Sequence, residues 1–377
     1  MRSFDFFSKF IIIGVLLFAL LSFNWDRTEM ENRAFVVAIG IDAGNSGERF
    51  EVSMSIADVA AMEGEGGAED VAILRVAAGQ SLACAMGQIN AKISDTVYYG
   101  HTKAIVLGES ILTDEGLLRE VVDTLSRKND INIKCIVMTA DGHAKDILEA
   151  KPREQSLLGV YLSGFYNSHN VNTAASVVKL DLEGLTDNLR DTACAVIPKV
   201  AIEDEEVVIS GVAVLKDFTL AGYIPDEGMA GFLWLMENAA GAQVAVNDAA
   251  GAPITLLVQQ SKSKFSFAAA GDHLLCTIKL RAEGSIEGAR FMDDQLYDAQ
   301  TMRQLQSDYA DKIREEVKAI LHVFQSDFGV DSFNLRNLLH KKDHRLFQAH
   351  LPWQEAFESM VFSVDVDVLI RNAGPVK

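Results

Sequence analysis

The chain has 377 residues, 49% of them hydrophobic and 23% charged. That balance suits an ordinary folded protein, and the length exceeds what one hydrophobic core organises, so two domains or slightly more are expected. With 34 Lys and Arg against 53 Asp and Glu the net charge is −19, which excludes duplex nucleic acid as a partner and opposes a body lying flat on anionic lipid.

The first 30 residues stand apart. Phe10, Ile11, Ile12, Ile13, Val15, Leu16, Leu17, Phe18, Leu20, Leu21 and Phe23 make an apolar run over 10–23, interrupted by Gly14 and Ser22. As a helix it spans about 21 Å, short of the roughly 30 Å hydrocarbon core. Phe6, Phe7 and Trp25 bring it near spanning length, with Lys9 snorkelling at one end. Arg2 and Lys9 ahead of the run also fit a secretory signal. A cleavage site needs small residues, however, and Leu20, Leu21 and Phe23 crowd that zone. The expectation is an uncleaved membrane anchor over 1–24. Arg2 and Lys9 before it, with Asp26, Glu29 and Glu31 after it, place the body on the extracytoplasmic side.

Beyond the anchor, strands are expected over 34–42 and 50–57, joined by Ala43-Gly44-Asn45-Ser46-Gly47 as a hairpin. Residues 60–67 read as a loop, 71–76 as a strand and 81–93 as a helix. A strand over 101–107, a helix over 111–125, a strand over 131–138 and a helix from 144 follow. That order implies a parallel pair joined by a crossover. Residues 159–172 are aromatic and polar without a period. A helix over 182–189 leads to a strand over 193–200, where Pro198 points to an edge or an end. Glu203-Asp204-Glu205-Glu206 reads as a solvated turn, dividing a region over 25–202 from one over 207–373.

In the second region, strands over 207–215 and 222–224 precede a helix over 227–237 and an Ala/Gly/Asn-rich loop over 239–251. Three consecutive antiparallel strands are expected over 254–260, 263–269 and 274–281. The most regular helix begins after Asp293-Asp294, a favourable N-terminal pair. Leu305, Tyr309, Ile313, Val317, Ile320, Leu321 and Phe324 recur on it at spacings of three and four, and Gly329 is placed to stop it. Phe362, Val364, Val366, Val368 and Ile370 then alternate with Ser363, Asp365, Asp367 and Leu369 in a strand with one buried face. The fold class is mixed α/β and α+β in several domains. It has an N-terminal anchor helix, a βαβα-containing first region, and an antiparallel sheet with a long helix in the second.

Chemistry-bearing patterns are sparse. No G-x-x-x-x-G-K-[ST], G-x-S-x-G or H-E-x-x-H occurs, so no catalytic, metal-binding or cofactor-binding residue is assigned. Cys84, Cys135, Cys194 and Cys276 are widely spaced and read as buried thiols. Asp365 and Asp367 share a strand face without a third converging ligand for a hard cation. His101, in Tyr98-Tyr99-Gly100-His101-Thr102-Lys103, reads as a buried, hydrogen-bonded histidine at a strand start, with a catalytic or binding role as the alternative. His340, His344 and His350 lie among Lys341, Lys342 and Arg345, the one basic cluster in an acidic chain. It reads as plain surface or as a contact for a partner or lipid head groups.

The order of short motifs resembles a family. Trp25-Asp26-Arg27 with Glu29 follows the apolar leader, and then comes Ala38-Ile39-Gly40-Ile41-Asp42. Gly100-His101, then Lys103-Ala104-Ile105-Val106-Leu107-Gly108-Glu109, then Arg127 and Ala144-Lys145-Asp146-Ile147-Leu148 continue the match. In the second half stand Gly211-Val212-Ala213-Val214-Leu215-Lys216, Leu220-Ala221-Gly222-Tyr223, Asp327-Phe328-Gly329 and Trp353-Gln354-Glu355-Ala356-Phe357. Together they resemble the Ger(x)C family, the C subunits of spore nutrient germinant receptors. The resemblance implies a three-part mixed α/β body and a non-enzymatic subunit at the spore inner membrane. It also implies assembly with two integral membrane subunits, and it carries over no catalytic residue and no cofactor.

The sequence departs from the family at one point. Members are lipoproteins whose modified Cys precedes the Trp-Asp pair, and here that position is Asn24, preceded by Phe23. Asn forms no thioether, so lipidation at this site is excluded and anchoring falls to the helix. Small-molecule binding by this subunit stays open. The alternative function is a membrane-tethered solute-binding protein using the βαβα segment and residues 161–166, with Tyr161 and Tyr166, as a pocket.

Overall fold

The computed structural model describes residues 33–45, 47–58, 71–152, 157–166, 178–237, 239–247, 251–288 and 299–372. The apolar leader, Asn24, Trp25, Asp26, the loop 60–67 and Asp293-Asp294 lie outside them.

A hairpin of β1 (Arg33–Ala43) and β2 (Phe50–Ala57) starts the body as expected, and β3 (Ala72–Gly79) pairs antiparallel with β2. Ser81 then caps α1 (Leu82–Asn90), its side chain accepting from the Cys84 N–H. A short β4 (Thr96–Tyr98) lies parallel to the start of β1. The apolar run β5 (Ala104–Leu107) pairs parallel with β1, and β6 (Ile136–Ala140) parallel with β5. The connecting helix expected over 111–125 is divided into α2 (Glu109–Leu112) and α3 (Glu115–Arg127). Asp114 causes the break, because its carboxylate accepts from the Leu117 N–H and begins α3 afresh. After α4 (Ala144–Glu149), α5 (Leu158–Gly164) and α6 (Leu182–Thr192), the meander of β7 (Cys194–Glu203), β8 (Glu206–Lys216) and β9 (Thr219–Pro225) completes the sheet. Its order is β3-β2-β1-β5-β6-β7-β8-β9, with β4 beside β1.

One expectation changes here and one holds. Pro198 sits in a strand with neighbours on both sides, but β6 pairs with β7 only at Lys199 and Val200. Its missing N–H therefore falls just outside that ladder. Glu203-Asp204-Glu205-Glu206 is the solvated turn expected, the exposed tip of the β7–β8 hairpin, with Asp204 and Glu205 at φ 49° and 68°, and the large sheet continues on both sides of it.

The second sheet follows α7 (Ala230–Leu235). It is built from β10 (Gln243–Asn247), β11 (Pro253–Ala270), β12 (His273–Gly288) and β13 (Val361–Asn372), in that order. Part of the expected loop over 239–251 is thus strand β10, where Val244 and Val246 pair with Leu256 and Ile254. The two strands expected over 254–260 and 263–269 are one. Register shifts at Thr255/Leu256 and between Val258 and Gln260 change the phase of the alternation, so the buried positions pass from Ile254, Leu256 and Val258 to Ser261. The sheet is not wholly antiparallel either, because β13 runs parallel to β12. The intervening α8 (Ala299–His322), α9 (Leu335–Lys342), α10 (His344–Ala349) and α11 (Trp353–Glu358) return the chain in the same direction.

The core explains this arrangement. One face of the large sheet buries Ile39, Ile41, Ile105 and Leu107 against α1, α3 and α6. The opposite face buries Val106, Met138, Val212 and Val214, continuous with α4, α5, α7, α8 and the inner face of the second sheet. On α8 the expected stripe of Leu305, Tyr309, Ile313, Val317, Ile320 and Leu321 is buried, and Tyr309 Oη donates to Ile254 O at 2.9 Å. The closing turn Val323–Phe328 ends at Gly329, which adopts φ 60° as its position required.

Candidate functional site

The turn before β5 holds Gly100, His101 and Lys103. Thr102 is the buried member, its Oγ1 donating to Val36 O, while Lys103 N donates to Val37 O at 2.9 Å. Asn132 closes the turn by donating to Thr102 O at 3.0 Å. His101 and Lys103 are both exposed. The expectation of a buried histidine is therefore corrected: the backbone pairing with β1 turns Thr102 inward and His101 outward. The His101 ring lies against Phe35 (5.2 Å) and Tyr98 (5.4 Å), with Arg33 over Tyr98 at 5.0 Å. A Cβ at Gly100 would sit 2.5 Å from Tyr98 Oη, so the aromatic patch requires that glycine. The patch surrounds the first described residue of β1.

The remaining motifs meet at structural joints. Asp42 is buried at the end of β1 and accepts from the N–H groups of Ala144 (2.8 Å) and Lys145 (3.0 Å) at the start of α4. Burial pushes its carboxyl above the usual carboxylate range, against the pull of those two bonds and of His143. A side chain at Gly108 would land on Asp42 Oδ1, and one at Gly40 would meet Leu148 at 3.2 Å. Three motifs are thus one joint between β1, β5 and α4.

A second joint links the other half. Lys216 Nζ donates to Phe328 O (3.0 Å), Gln354 Nε2 donates to Gly329 O (2.7 Å), and a Cβ at Gly222 would meet the Phe328 ring at 2.7 Å. Trp353 is half-buried between Phe347 (6.1 Å) and Phe357 (6.4 Å). Beside it Asp331 accepts from the N–H groups of Leu335 (3.1 Å) and Arg336 (2.8 Å), and burial pushes its carboxyl up. Trp353 stands in this second joint and the Gly100-to-Lys103 turn in the large sheet, so the motif residues form no single site.

Other sequence candidates are placed as follows. Tyr161 Oη donates to Val207 O (3.1 Å), and Tyr161, Phe165 and Tyr166 are partly buried against the main core. Cys135 and Cys276 are buried, Cys194 is half-buried and Cys84 is exposed on α1, correcting the expectation of four buried thiols; all are free. His340 stacks edge-on with His344 and Phe347, and Lys342 Nζ donates to Phe265 O. Asp365 and Asp367 face Lys279 and Arg281 across the β12–β13 ladder, neighbours that oppose a bound cation.

A charged surface that periodicity alone did not reveal lies on the outward face of the second sheet. Lys262 and Lys264 on β11 stand directly opposite Arg281 and Lys279 on β12. All four are exposed around a cleft of about 420 Å³ that Asp365, Asp367 and Glu283 also line. Glu283 contacts Arg281 (3.1 Å) and Arg371 (2.5 Å), and the Arg371 hydrogen bond holds its carboxyl below the usual range. The signal in the sequence was Lys-x-Lys at 262–264 and Lys-x-Arg at 279–281, which carries meaning only once the register is known.

Family models match almost the whole chain. Residues 26–202 match the spore germination protein N-terminal domain, and residues 210–374 match the spore germination B3/GerAC-like C-terminal domain. The chain belongs to the GerAC-like family of spore germination proteins. It is 25% identical to the putative spore germination protein YfkR of Bacillus subtilis, covering 96% of each chain. It is also 23% identical to spore germination protein A3 of the same organism, over 52% of each chain. Among solved structures, the GerBC protein matches with a TM-score of 0.61 at 17% identity, over 89% of this chain and 97% of that one. The mixed α/β fold with two sheets is therefore shared with GerBC.

No helix among the described residues is long and apolar enough to cross a membrane.

Proposed function

We propose that the chain is a non-enzymatic subunit of a spore nutrient-germinant receptor, which it serves by assembling with two integral membrane subunits. The observation that carries this reading is the paired match to both family domains across residues 26–202 and 210–374. The internal arrangement supports it: many motif residues join elements within the body, while His101 and Lys103, exposed together beside the aromatic patch of Phe35 and Tyr98, offer a surface suited to contact.

The apolar leader would hold the body at the extracytoplasmic side of the spore inner membrane. Nine residues, 24–32, separate the run from Arg33 and reach at most about 30 Å. The patch of Arg33, Tyr98 and His101 would then face the membrane and the loops of the membrane subunits.

A strain lacking the gene, tested for germination across a panel of single nutrients, should lose its response to at least one. The tagged full chain solubilised from spores should bring down two polytopic membrane proteins. Normal germination on every nutrient with no membrane protein recovered would reject the reading.

A further inference from the structure

We propose that the outward face of the second sheet, centred on Lys262, Lys264, Lys279 and Arg281, is a docking surface for an acidic segment of a protein partner. The proposal deepens the receptor-subunit reading and rests on it.

The register supplies the first argument. Like charges directly opposite one another destabilise an antiparallel ladder, and here two such pairs, Lys262 with Arg281 and Lys264 with Lys279, stand side by side. The chain carries 53 acidic residues, yet among the described residues no ion pair or hydrogen bond reaches the side chains of Lys262, Lys264 or Lys279. The second argument is continuity. Lys342 Nζ reaches Phe265 O, so the basic cluster of α9 and α10 abuts the edge of β11 beside Lys264. β10 pairs with β11 only over residues 253–257, which leaves that edge without a neighbouring strand among the described residues.

The charge pattern chooses the occupant. Asp365 and Asp367 form an acidic column directly beside the basic ones. An anionic bilayer or a polyanion would meet those carboxylates and the net charge of −19. A polypeptide can set carboxylates over β11 and β12 and a different residue over β13. Carboxylates on alternate residues of an extended segment repeat at roughly 7 Å, the same repeat that separates Lys262 from Lys264 and Lys279 from Arg281. Charges at contact range are screened little compared with those beyond about 8 Å, so local complementarity outweighs the acidity of the whole chain.

The test uses the tagged full chain in spores, with the double variant Lys262→Glu and Lys264→Glu. Each new carboxylate lies opposite a cation on β12, so the Tm of the purified variant should hold or rise. Recovery of the polytopic membrane proteins that the wild type brings down should fall at least about tenfold. Equal recovery by both proteins overturns the docking surface while leaving the receptor reading intact. Failure of the wild type to recover any membrane protein removes that reading, and the proposal with it. Should the double variant lose stability, Lys279→Gln, which removes one cation without reversal, is measured in its place and should also reduce recovery. A photocrosslinking residue at Ala268, exposed on the same strand, should join a polypeptide; an adduct with lipid alone overturns the choice of partner.

Discussion

Replacing Asp42 by Ala should cost the folded chain about 3 kcal/mol. The side chain is 3% exposed and accepts two backbone N–H bonds, from Ala144 and Lys145. Each bond to a charged acceptor contributes roughly 1.5–3 kcal/mol, and the cost of burying the ionised carboxyl offsets part of the pair. Asp42→Asn keeps one acceptor oxygen and should lose about half as much. The assay is urea unfolding of the full-length chain in mild detergent at pH 7, followed by circular dichroism. With a slope on the order of 3 kcal/mol/M, the midpoint for Asp42→Ala should fall by about 1 M. A charge-specific signature accompanies it. Burial raises the folded carboxyl above its ordinary value of 3.8, so the folded chain holds this proton more tightly than the unfolded one. The contribution of Asp42 is then greatest in acid and shrinks as pH rises through the folded value. The stability gap between wild type and Asp42→Asn should narrow from pH 4 to pH 7. A midpoint for Asp42→Ala within about 0.2 M of wild type, or a gap that widens with pH, would refute the reasoning.

Gly222→Ala drives a methyl group into the Phe328 ring and should destabilise by about 1–3 kcal/mol; Phe328→Leu in the same chain should recover part of the loss in the same urea assay. Ellman's reagent should label the exposed Cys84 rapidly in the native chain, while Cys135 and Cys276, whose thiols burial pushes up to about 12, should react only on unfolding. Rapid labelling of all four thiols would contradict the packing. Asn24→Cys combined with Phe23→Gly should restore incorporation of labelled palmitate; palmitate already present on the native chain would show that anchoring does not fall to the helix alone.

Much of the fold was legible because burial on both faces leaves continuous apolar runs. The runs read as strands over 101–107 and 131–138 contain β5 and most of β6 for that reason, and the stripe on α8 from Leu305 to Leu321 repeats over about four and a half turns. What failed was whatever depends on a partner. The register shifts in β11 change its alternation midway, so a single strand looked like two. The burial of Thr102 in place of His101 follows from hydrogen bonds to β1 some 66 positions away in the chain. The joints at Asp42 with Gly108 and at Gly222 with Phe328 give physical reasons for motifs that the sequence showed only as an order. The basic face of the second sheet arises from the pairing of β11 with β12, since neither strand is notable by itself.

The large sheet is not equally strong along its width. β7 and β8 share ten residue pairs, whereas β6 meets β7 at Thr139 with Lys199 and at Ala140 with Val200. Beside that short seam β6 is held by the segment before α6, where Ile136 bridges Asp181 and Val137 N donates to Leu180 O. Tension between the N-terminal end of the body and the second sheet would therefore load a seam crossed by two residue pairs and the Asp141 N–H bond to Val200 O, with the continuous core on one face as its main support.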